Sequence, residues 1–295
     1  MSDAVSDPRT RLAGLPAPAL WLIAARLKTV SLSQMPVLAA AWLAGDGVRL
    51  DVVAPAMIAT AAIQIGTNLW NDAADAARGV DRPDRLGPPR MTALGLLDGA
   101  SVRRGALASF ALAALAGLWL VGIGGWPIVA IGLMSLALGY FYSMGPRPLS
   151  GLPYGELLVI GFFGVVAVSG SGWLMGVDPF AARTLATGLM IGLPAAAVLM
   201  LNNHRDRVQD ARAGRRTLAI VIGPTASQLV YFAALLAAFG FGAALNATVW
   251  LAVPGALALW LGHAMWHWPV SVRLNRLLGQ TAAYQALLLL FVALA

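Results

Sequence analysis

Long apolar segments, each about the length of a membrane span, recur along this 295-residue chain and limit the folds it can adopt. A helix needs about 20 apolar residues to cross the hydrocarbon core of a bilayer, and only helices and closed barrels satisfy every backbone hydrogen bond there. These segments therefore predict an all-α integral membrane protein, a bundle of nine transmembrane helices. The nine predicted spans are residues 18–45, 51–75, 105–123, 126–143, 155–176, 183–204, 222–244, 247–267 and 279–295.

Composition agrees with a membrane location and excludes several kinds of chemistry. Only 11% of the residues are charged, whereas about 25% are charged in an ordinary soluble domain. The sequence contains no linker-like stretch, so residues 1–295 are expected to form one membrane domain. The absence of cysteine excludes thiolate nucleophiles, disulfides and cysteine-ligated metal centres.

The net charge of +7 comes mainly from arginines that occur in alternate loops. Basic loops face the cytoplasm in multi-pass membrane proteins. The alternation therefore predicts a cytoplasmic N-terminus and an external C-terminus. We expect the protein to lie in the cell (inner) membrane. The alternation also explains the positive charge without a nucleic-acid partner. Arg26 and Lys28 interrupt the first apolar segment, so no cleaved signal peptide is expected.

Two polar stripes mark the ends of the second and sixth spans. At about 100° per residue, the members of each stripe share one helix face. The spacing of the first stripe recurs in the second at an offset of 135 residues, and each stripe is followed by a glycine, Gly79 or Gly214. This offset covers four spans, so we expect two related four-helix halves plus a ninth helix, with the stripes facing each other. The stripes are Gln64, Asn68, Asn71 and Asp75, and then Asn203, Asp206 and Asp210.

Facing carboxylates in a membrane require a counter-charge, and three arrangements supply one. The acids can pair with nearby arginines, line a cation or proton pathway, or bind a divalent metal. Oxygen ligands on two helices suit Mg²⁺, which takes a few carboxylates together with substrate phosphate oxygens. The arginines that follow both stripes favour a magnesium-bound diphosphate, because a guanidinium forks onto phosphate oxygens. These arginines are Arg78, Arg82, Arg85 and Arg90, and Arg205, Arg212, Arg215 and Arg216.

Two long motifs resemble those of the UbiA superfamily of intramembrane aromatic prenyltransferases, and more narrowly its branch acting on 1,4-dihydroxy-2-naphthoate. Residues 71–90 read N-D-A-A-D-A-A-R-G-V-D-R-P-D-R-L-G-P-P-R, and residues 202–218 read N-N-H-R-D-R-V-Q-D-A-R-A-G-R-R-T-L. Gly79 stands where many relatives acting on 4-hydroxybenzoate have a third Asp, which favours the naphthoate branch. Shorter similar stretches are residues 25–29, 64–68, 142–149, 151–156 and 161–171.

The resemblance implies a central cavity that opens sideways to the lipid and binds a polyprenyl diphosphate and an aromatic acid. It also implies transfer of the prenyl chain with loss of diphosphate and carbon dioxide, giving demethylmenaquinone, with Mg²⁺ as cofactor. The alternatives are a related transferase with another aromatic acceptor, or an ion- or proton-translocating protein. Neither the prenyl chain length nor a protein partner can be read from the sequence.

The resemblance, together with the stripes, gives four sets of candidate residues. The metal ligands are Asn71, Asp75, Asp81, Asn203, Asp206 and Asp210. The diphosphate-binding residues are Arg78, Arg85, Arg90, Arg205, Arg215 and Arg216, with Arg215 replacing a common Lys. The aromatic faces expected near the allyl cation are those of Tyr140 and Tyr142, with Trp70 as a further candidate. The acceptor-binding residues are Arg26, Lys28, Gln64 and Asn68.

Overall fold

The computed structural model describes residues 8–77, 79, 86–143 and 148–294, and within these ranges the chain is helical with no strand. The side chains of Pro8, Lys28 and Ser143 lie outside this description. A π-helical segment, Ile160–Val166, joins α7 to α8. The α-helices are α1 Pro8–Leu12, α2 Ala17–Ala25, α3 Leu27–Ala44, α4 Leu50–Ala77, α5 Gly99–Gly124, α6 Trp126–Ser143, α7 Gly155–Val159, α8 Ala167–Trp173, α9 Ala182–Arg212, α10 Leu218–Leu245, α11 Ala252–His267 and α12 Leu274–Ala293.

Seven helical segments in the described part of the chain are long and apolar enough to cross a membrane, which makes this a multi-pass membrane protein. Each coincides with one predicted span, from α4 at 51–75 to α12 at 279–295. The predicted span 126–143 forms α6, whose apolar part, Trp126–Tyr142, is shorter than the seven segments counted as spans. The predicted span 18–45 forms α2 and α3, which are separate helices. Helix length and composition thus support about seven spans, fewer than the nine predicted.

The first predicted span is broken at Arg26. This residue has φ 52° and ψ 53°, a left-handed conformation that is uncommon for any residue other than glycine. The break frees the carbonyl of Ala25, and the Nδ2 of Asn68 on α4 donates a hydrogen bond to it at 2.9 Å. Residues 25–29 contain no glycine or proline. The sequence therefore carries no local signal for this break, and the expectation of one continuous helix was wrong.

Helix α9 lies at the centre of the bundle, where it packs against α10, α12 and the π-helical segment. Two glycines in its middle, Gly188 and Gly192, allow the π segment to cross it very closely. A Cβ on Gly192 would lie 2.8 Å from the carbonyl oxygen of Ile160 and 2.9 Å from the Cα of Gly164. A Cβ on Gly188 would lie 2.7 Å from the Cα of Val165. Only glycine permits this approach, which fixes the π segment against α9.

The two motif helices, α4 and α9, end in the same way. Gly79 follows α4 with φ 63°, and Gly214 follows α9 with φ 75°. Glycine adopts this left-handed conformation without steric cost and commonly ends helices. Each motif helix also packs extensively against the helix that follows it, α5 or α10. These shared features are those expected if the two halves are related by an internal repeat.

Candidate active site

The cytoplasm-facing ends predicted for α4 and α9 meet at the guanidinium group of Arg215. Arg215 Nη1 donates to Asp210 Oδ1 at 3.0 Å, and Arg215 Nη2 lies 3.7 Å from Asp75 Oδ1. Both carboxylates are largely buried. The structure therefore brings together one acid from each polar stripe, although they are 135 residues apart in the sequence.

A second arginine reaches Asp75 from the segment that precedes α5. Arg90 is buried, and its Nη2 makes a short ion pair with Asp75 Oδ2. The backbone beside Arg90 is held by Asp72, whose two carboxylate oxygens accept hydrogen bonds from the amides of Met91 and Thr92 at 3.0 and 2.9 Å. Asp72 thus fixes the segment that carries Arg90, and both of its oxygens are engaged by backbone amides.

A third arginine connects α9 to α12. Arg205 donates two hydrogen bonds to Asp206, from Nε at 2.8 Å and from Nη2 at 2.7 Å. Its Nη1 donates to Asn275 Oδ1 at 2.5 Å, and Asn275 Nδ2 donates to the carbonyl of Leu86 at 2.9 Å. Only 3% of Arg205 is exposed, so this network holds its guanidinium in a fixed position.

These groups line a cavity of about 630 Å³, called the polar cavity for its charged side chains. Its wall includes candidate residues from both stripes and the arginines described above: Asn71, Asp75, Arg90, Asn203, Arg205, Asp206, Asp210 and Arg215. A second cavity of about 320 Å³ adjoins it, and the two share Arg26, Asn71 and Tyr142. Charged groups therefore concentrate in one cavity, while the other extends along the helices.

The second cavity is mainly apolar. Its wall includes Leu138 on α6, Leu158 on α7, Phe162 and Phe163 on the π segment, and Ala195 on α9. The polar residues Gln64 and Asn68 also line it, and they hydrogen-bond to each other at 3.3 Å. A molecule with a charged head and a hydrocarbon tail would match the two cavities in polarity.

The donor atoms of the polar cavity fit a magnesium ion. Asn71 Oδ1 is buried and accepts no hydrogen bond from the described residues, so this oxygen is available to a cation one helical turn before Asp75. Within the described ranges, no group of three or more histidines and carboxylates is close enough to form a complete metal cage. Mg²⁺ does not need one, because it combines one or two carboxylates with waters and substrate phosphate oxygens.

The structure does not bring every candidate residue to these cavities. Tyr142 lines both of them, whereas Tyr140 is 50% exposed and packs edge-on against Phe141. Arg216 is exposed, and its backbone amide donates to the carbonyl of Gly151 at 2.8 Å. Four further candidates lie outside the described residues or side chains: Lys28, Arg78, Asp81 and Arg85.

Sequence reasoning missed two residues that brace the site. Asn275 lies on α12 and anchors Arg205, and Glu156 on α7 accepts a hydrogen bond from Asn203. Glu156 is a carboxylate in an apolar segment, a signal that marks candidate functional positions. Asn275 had no comparable signal, because an amide near a predicted loop is common.

Comparisons with known proteins agree with the motifs. Residues 33–294 match the UbiA prenyltransferase family. A 1,4-dihydroxy-2-naphthoate octaprenyltransferase of Mycobacterium tuberculosis is 37% identical over 223 residues, covering 72% of this chain and 73% of the relative. A protein of the same name from Bacillus subtilis is 32% identical over 253 residues, covering 82% of this chain and 76% of the relative.

A solved structure shows the same fold. It is a UbiA homolog from Archaeoglobus fulgidus bound to GPP and Mg²⁺, with a TM-score of 0.57 and 15% identity. The match covers 92% of this chain and 99% of that chain. The resemblance inferred from the two motifs is confirmed, and the chain belongs to the UbiA prenyltransferase family.

Proposed function

We propose that this protein transfers a polyprenyl chain from polyprenyl diphosphate to 1,4-dihydroxy-2-naphthoate in menaquinone biosynthesis. The convergence of Asp75 and Asp210 on Arg215, at the wall of a polar cavity that adjoins an apolar one, carries this proposal. The names of the relatives from M. tuberculosis and B. subtilis support the choice of acceptor. Transfer to another aromatic acceptor is the alternative that the assay below distinguishes.

The polar cavity would hold the diphosphate. Asn71, Asp75, Asp206 and Asp210 supply oxygen ligands for Mg²⁺, with Asn203 and Asp81 as further candidates. Bound Mg²⁺ would neutralise charge on the diphosphate and so make it a better leaving group. Arg90, Arg205 and Arg215 contribute guanidinium donors, and Arg78, Arg85 and Arg216 are further candidates for the same role.

The apolar cavity would hold the prenyl chain and exclude water from the reacting carbon. When the allylic carbon–oxygen bond breaks, its electron pair remains on the diphosphate, and positive charge develops on the allylic carbon. Aromatic faces stabilise such a charge. Tyr142 borders both cavities and is the better placed of the two tyrosine candidates, because Tyr140 faces away.

The aromatic acid would bind where the cavities adjoin. Arg26 lines both cavities and can hold the carboxylate, with Lys28 as a second candidate, while Gln64 and Asn68 line the neighbouring wall. The ring carbon that bears the carboxylate donates an electron pair to the allylic carbon. The bond to the carboxylate then breaks, its electrons return to the ring, and carbon dioxide leaves with the naphthalenediol form of demethylmenaquinone as product.

We further propose nine membrane spans in the cell (inner) membrane, with α2–α3 and α6 as the two beyond the seven counted by length. The N-terminus and the site would face the cytoplasm. The basic residues that follow α4 and α9 support this orientation, because both helices end at the polar cavity.

The decisive experiment is a Mg²⁺-dependent transfer assay with the purified protein, an octaprenyl diphosphate, and either 1,4-dihydroxy-2-naphthoate or 4-hydroxybenzoate. We expect prenylation and carbon dioxide release when the acceptor is 1,4-dihydroxy-2-naphthoate but not when it is 4-hydroxybenzoate. Chelation of Mg²⁺ should abolish both. Asp75→Ala and Asp210→Ala should be inactive at normal expression. The matched control is Asp178→Ala, an exposed acid just before the opposite end of α9.

Full activity in either acidic variant would refute the assigned metal site. Exclusive use of 4-hydroxybenzoate would refute the assigned acceptor. Ion flux into liposomes without consumption of prenyl diphosphate would refute the transferase function.

A further inference from the structure

Glu156 is a buried carboxylate that contacts the candidate site through one residue. It lies in the first turn of α7, 5% exposed, and its Oε1 accepts a hydrogen bond from Asn203 Nδ2 at 2.8 Å. Its other oxygen, Oε2, is buried and has no partner among the described residues. Asn203 lines the polar cavity, whereas Glu156 does not. The contact therefore passes from a residue outside the cavity to one in its wall.

This hydrogen bond fixes the orientation of the Asn203 side-chain amide. A side-chain amide has one donor end and one acceptor end, and an ionised carboxylate can only accept. The NH₂ group of Asn203 points to Glu156, which leaves its Oδ1 on the other side of the amide. Within the described residues, no group donates a hydrogen bond to this oxygen.

The equivalent asparagine of the other polar stripe provides an internal comparison. Like Asn203, Asn68 uses its Nδ2 to donate to a residue earlier in the sequence, in this case the carbonyl of Ala25 at 2.9 Å. Its Oδ1, however, accepts from Gln64 Nε2 at 3.3 Å. Both ends of the Asn68 amide are therefore engaged within the protein, and Asn203 alone of the pair keeps an oxygen for a ligand.

We propose that Glu156 is a positioning residue that turns the carbonyl oxygen of Asn203 into the polar cavity, where it serves as a ligand for Mg²⁺. This inference rests on the proposed function. Without Glu156 the amide is free to rotate, and in half of its orientations it would present an NH₂ group, which cannot ligate a cation. Glu156 thereby acts on metal binding without touching the metal, substrate or reacting atoms.

The test measures Mn²⁺ binding directly, by the EPR signal of free Mn²⁺ titrated into the full-length protein in detergent, together with the Mg²⁺ dependence of transfer. Loss of a residue that orients a metal ligand weakens metal affinity roughly 10- to 100-fold. We expect Glu156→Ala to weaken Mn²⁺ binding by about 10-fold or more and to raise the Mg²⁺ concentration needed for half-maximal activity by a similar factor. Glu156→Gln should lose less Mn²⁺ affinity than Glu156→Ala, because its amide oxygen can still accept from Asn203, although its NH₂ group can also donate.

A bypass variant separates orientation from simple packing. Aspartate presents an oxygen in either orientation, so Glu156→Ala with Asn203→Asp should recover Mn²⁺ affinity. The packing control is Tyr231→Phe, which removes a buried hydrogen bond of 2.7 Å to Thr281 in the core between α10 and α12. It should lower thermal stability and leave Mn²⁺ affinity unchanged. If Glu156→Ala does not fold, Glu156→Met takes its place as an apolar side chain of similar length.

Unchanged Mn²⁺ affinity in Glu156→Ala would overturn the proposal, as would equal losses in Glu156→Ala and Glu156→Gln. An unrecovered affinity in the double variant would also overturn it. Failure of the wild-type protein to transfer a prenyl chain would instead remove the proposed function, since the Mn²⁺ comparison does not depend on turnover.

Discussion

Asp75 on α4 and Asp210 on α9 share one counter-ion, the guanidinium of Arg215. Two buried carboxylates this close repel each other unless a cation lies between them. Arg215 is 27% exposed along its side chain, more than either acid. We therefore expect it to move aside when a divalent cation binds the two acids, while Arg90 continues to hold Asp75.

Replacement of Arg215 should accordingly make the fold more dependent on Mg²⁺. In Arg215→Gln the two acids lose their shared cation, so we expect a lower melting temperature without metal, equivalent to roughly 1–3 kcal/mol of stability. Added Mg²⁺ should restore stability, because a ligand stabilises the folded state that binds it. Thermal unfolding in detergent with and without Mg²⁺ measures both effects. An equal Mg²⁺ response in Arg215→Gln and wild type would contradict the shared-counter-ion interpretation, and Arg103→Gln, an exposed arginine on α5, is the control.

Sequence reasoning was most successful where helical periodicity controls the outcome. The spacing of Asp75 and Asp210 on their helices, together with their repeat offset, predicted that they face each other, and the structure brings them to one guanidinium. It could not rank Tyr140 against Tyr142, since which face of α6 meets the cavity depends on how the neighbouring helices pack. The sequence also could not predict the break at Arg26, because the hydrogen bond that stabilises the broken end comes from Asn68, a residue distant in sequence.

Asp72 should matter for diphosphate binding without being a metal ligand. Its carboxylate accepts the amides of Met91 and Thr92 and so fixes the segment bearing Arg90. In Asp72→Ala both amides lose their acceptor, and we expect a loss of about 1–3 kcal/mol for each buried group left unpaired. The KM for prenyl diphosphate should rise, while Mn²⁺ affinity should remain close to wild type. A loss of Mn²⁺ affinity as large as that of Asp75→Ala would place Asp72 among the ligands instead.

Arg26 combines a strained backbone with a charged side chain, and two substitutions separate these properties. Both Arg26→Ala and Arg26→Gly remove the guanidinium, so both should raise the KM for the aromatic acid by about 10- to 100-fold, the scale of a lost charged hydrogen bond. Only glycine adopts φ 52° without steric cost. Arg26→Gly should therefore be more stable than Arg26→Ala by about 1 kcal/mol. A similar KM for the acid in wild type and both variants would exclude Arg26 from acceptor binding.

The close crossing of α9 and the π segment positions one wall of the apolar cavity. In Gly192→Ala the new methyl group would lie 2.8 Å from the Ile160 carbonyl oxygen, and backbone on both sides must shift to admit it. Overpacking of this kind costs roughly 1–3 kcal/mol, and the shift would also displace Phe162 and Phe163 in the cavity wall. We expect lower thermal stability and a raised KM for long prenyl diphosphates. Gly161→Ala is the matched control, since a Cβ there meets nothing within 4 Å. If the two alanine variants behave alike, backbone contact with α9 does not determine the position of the π segment.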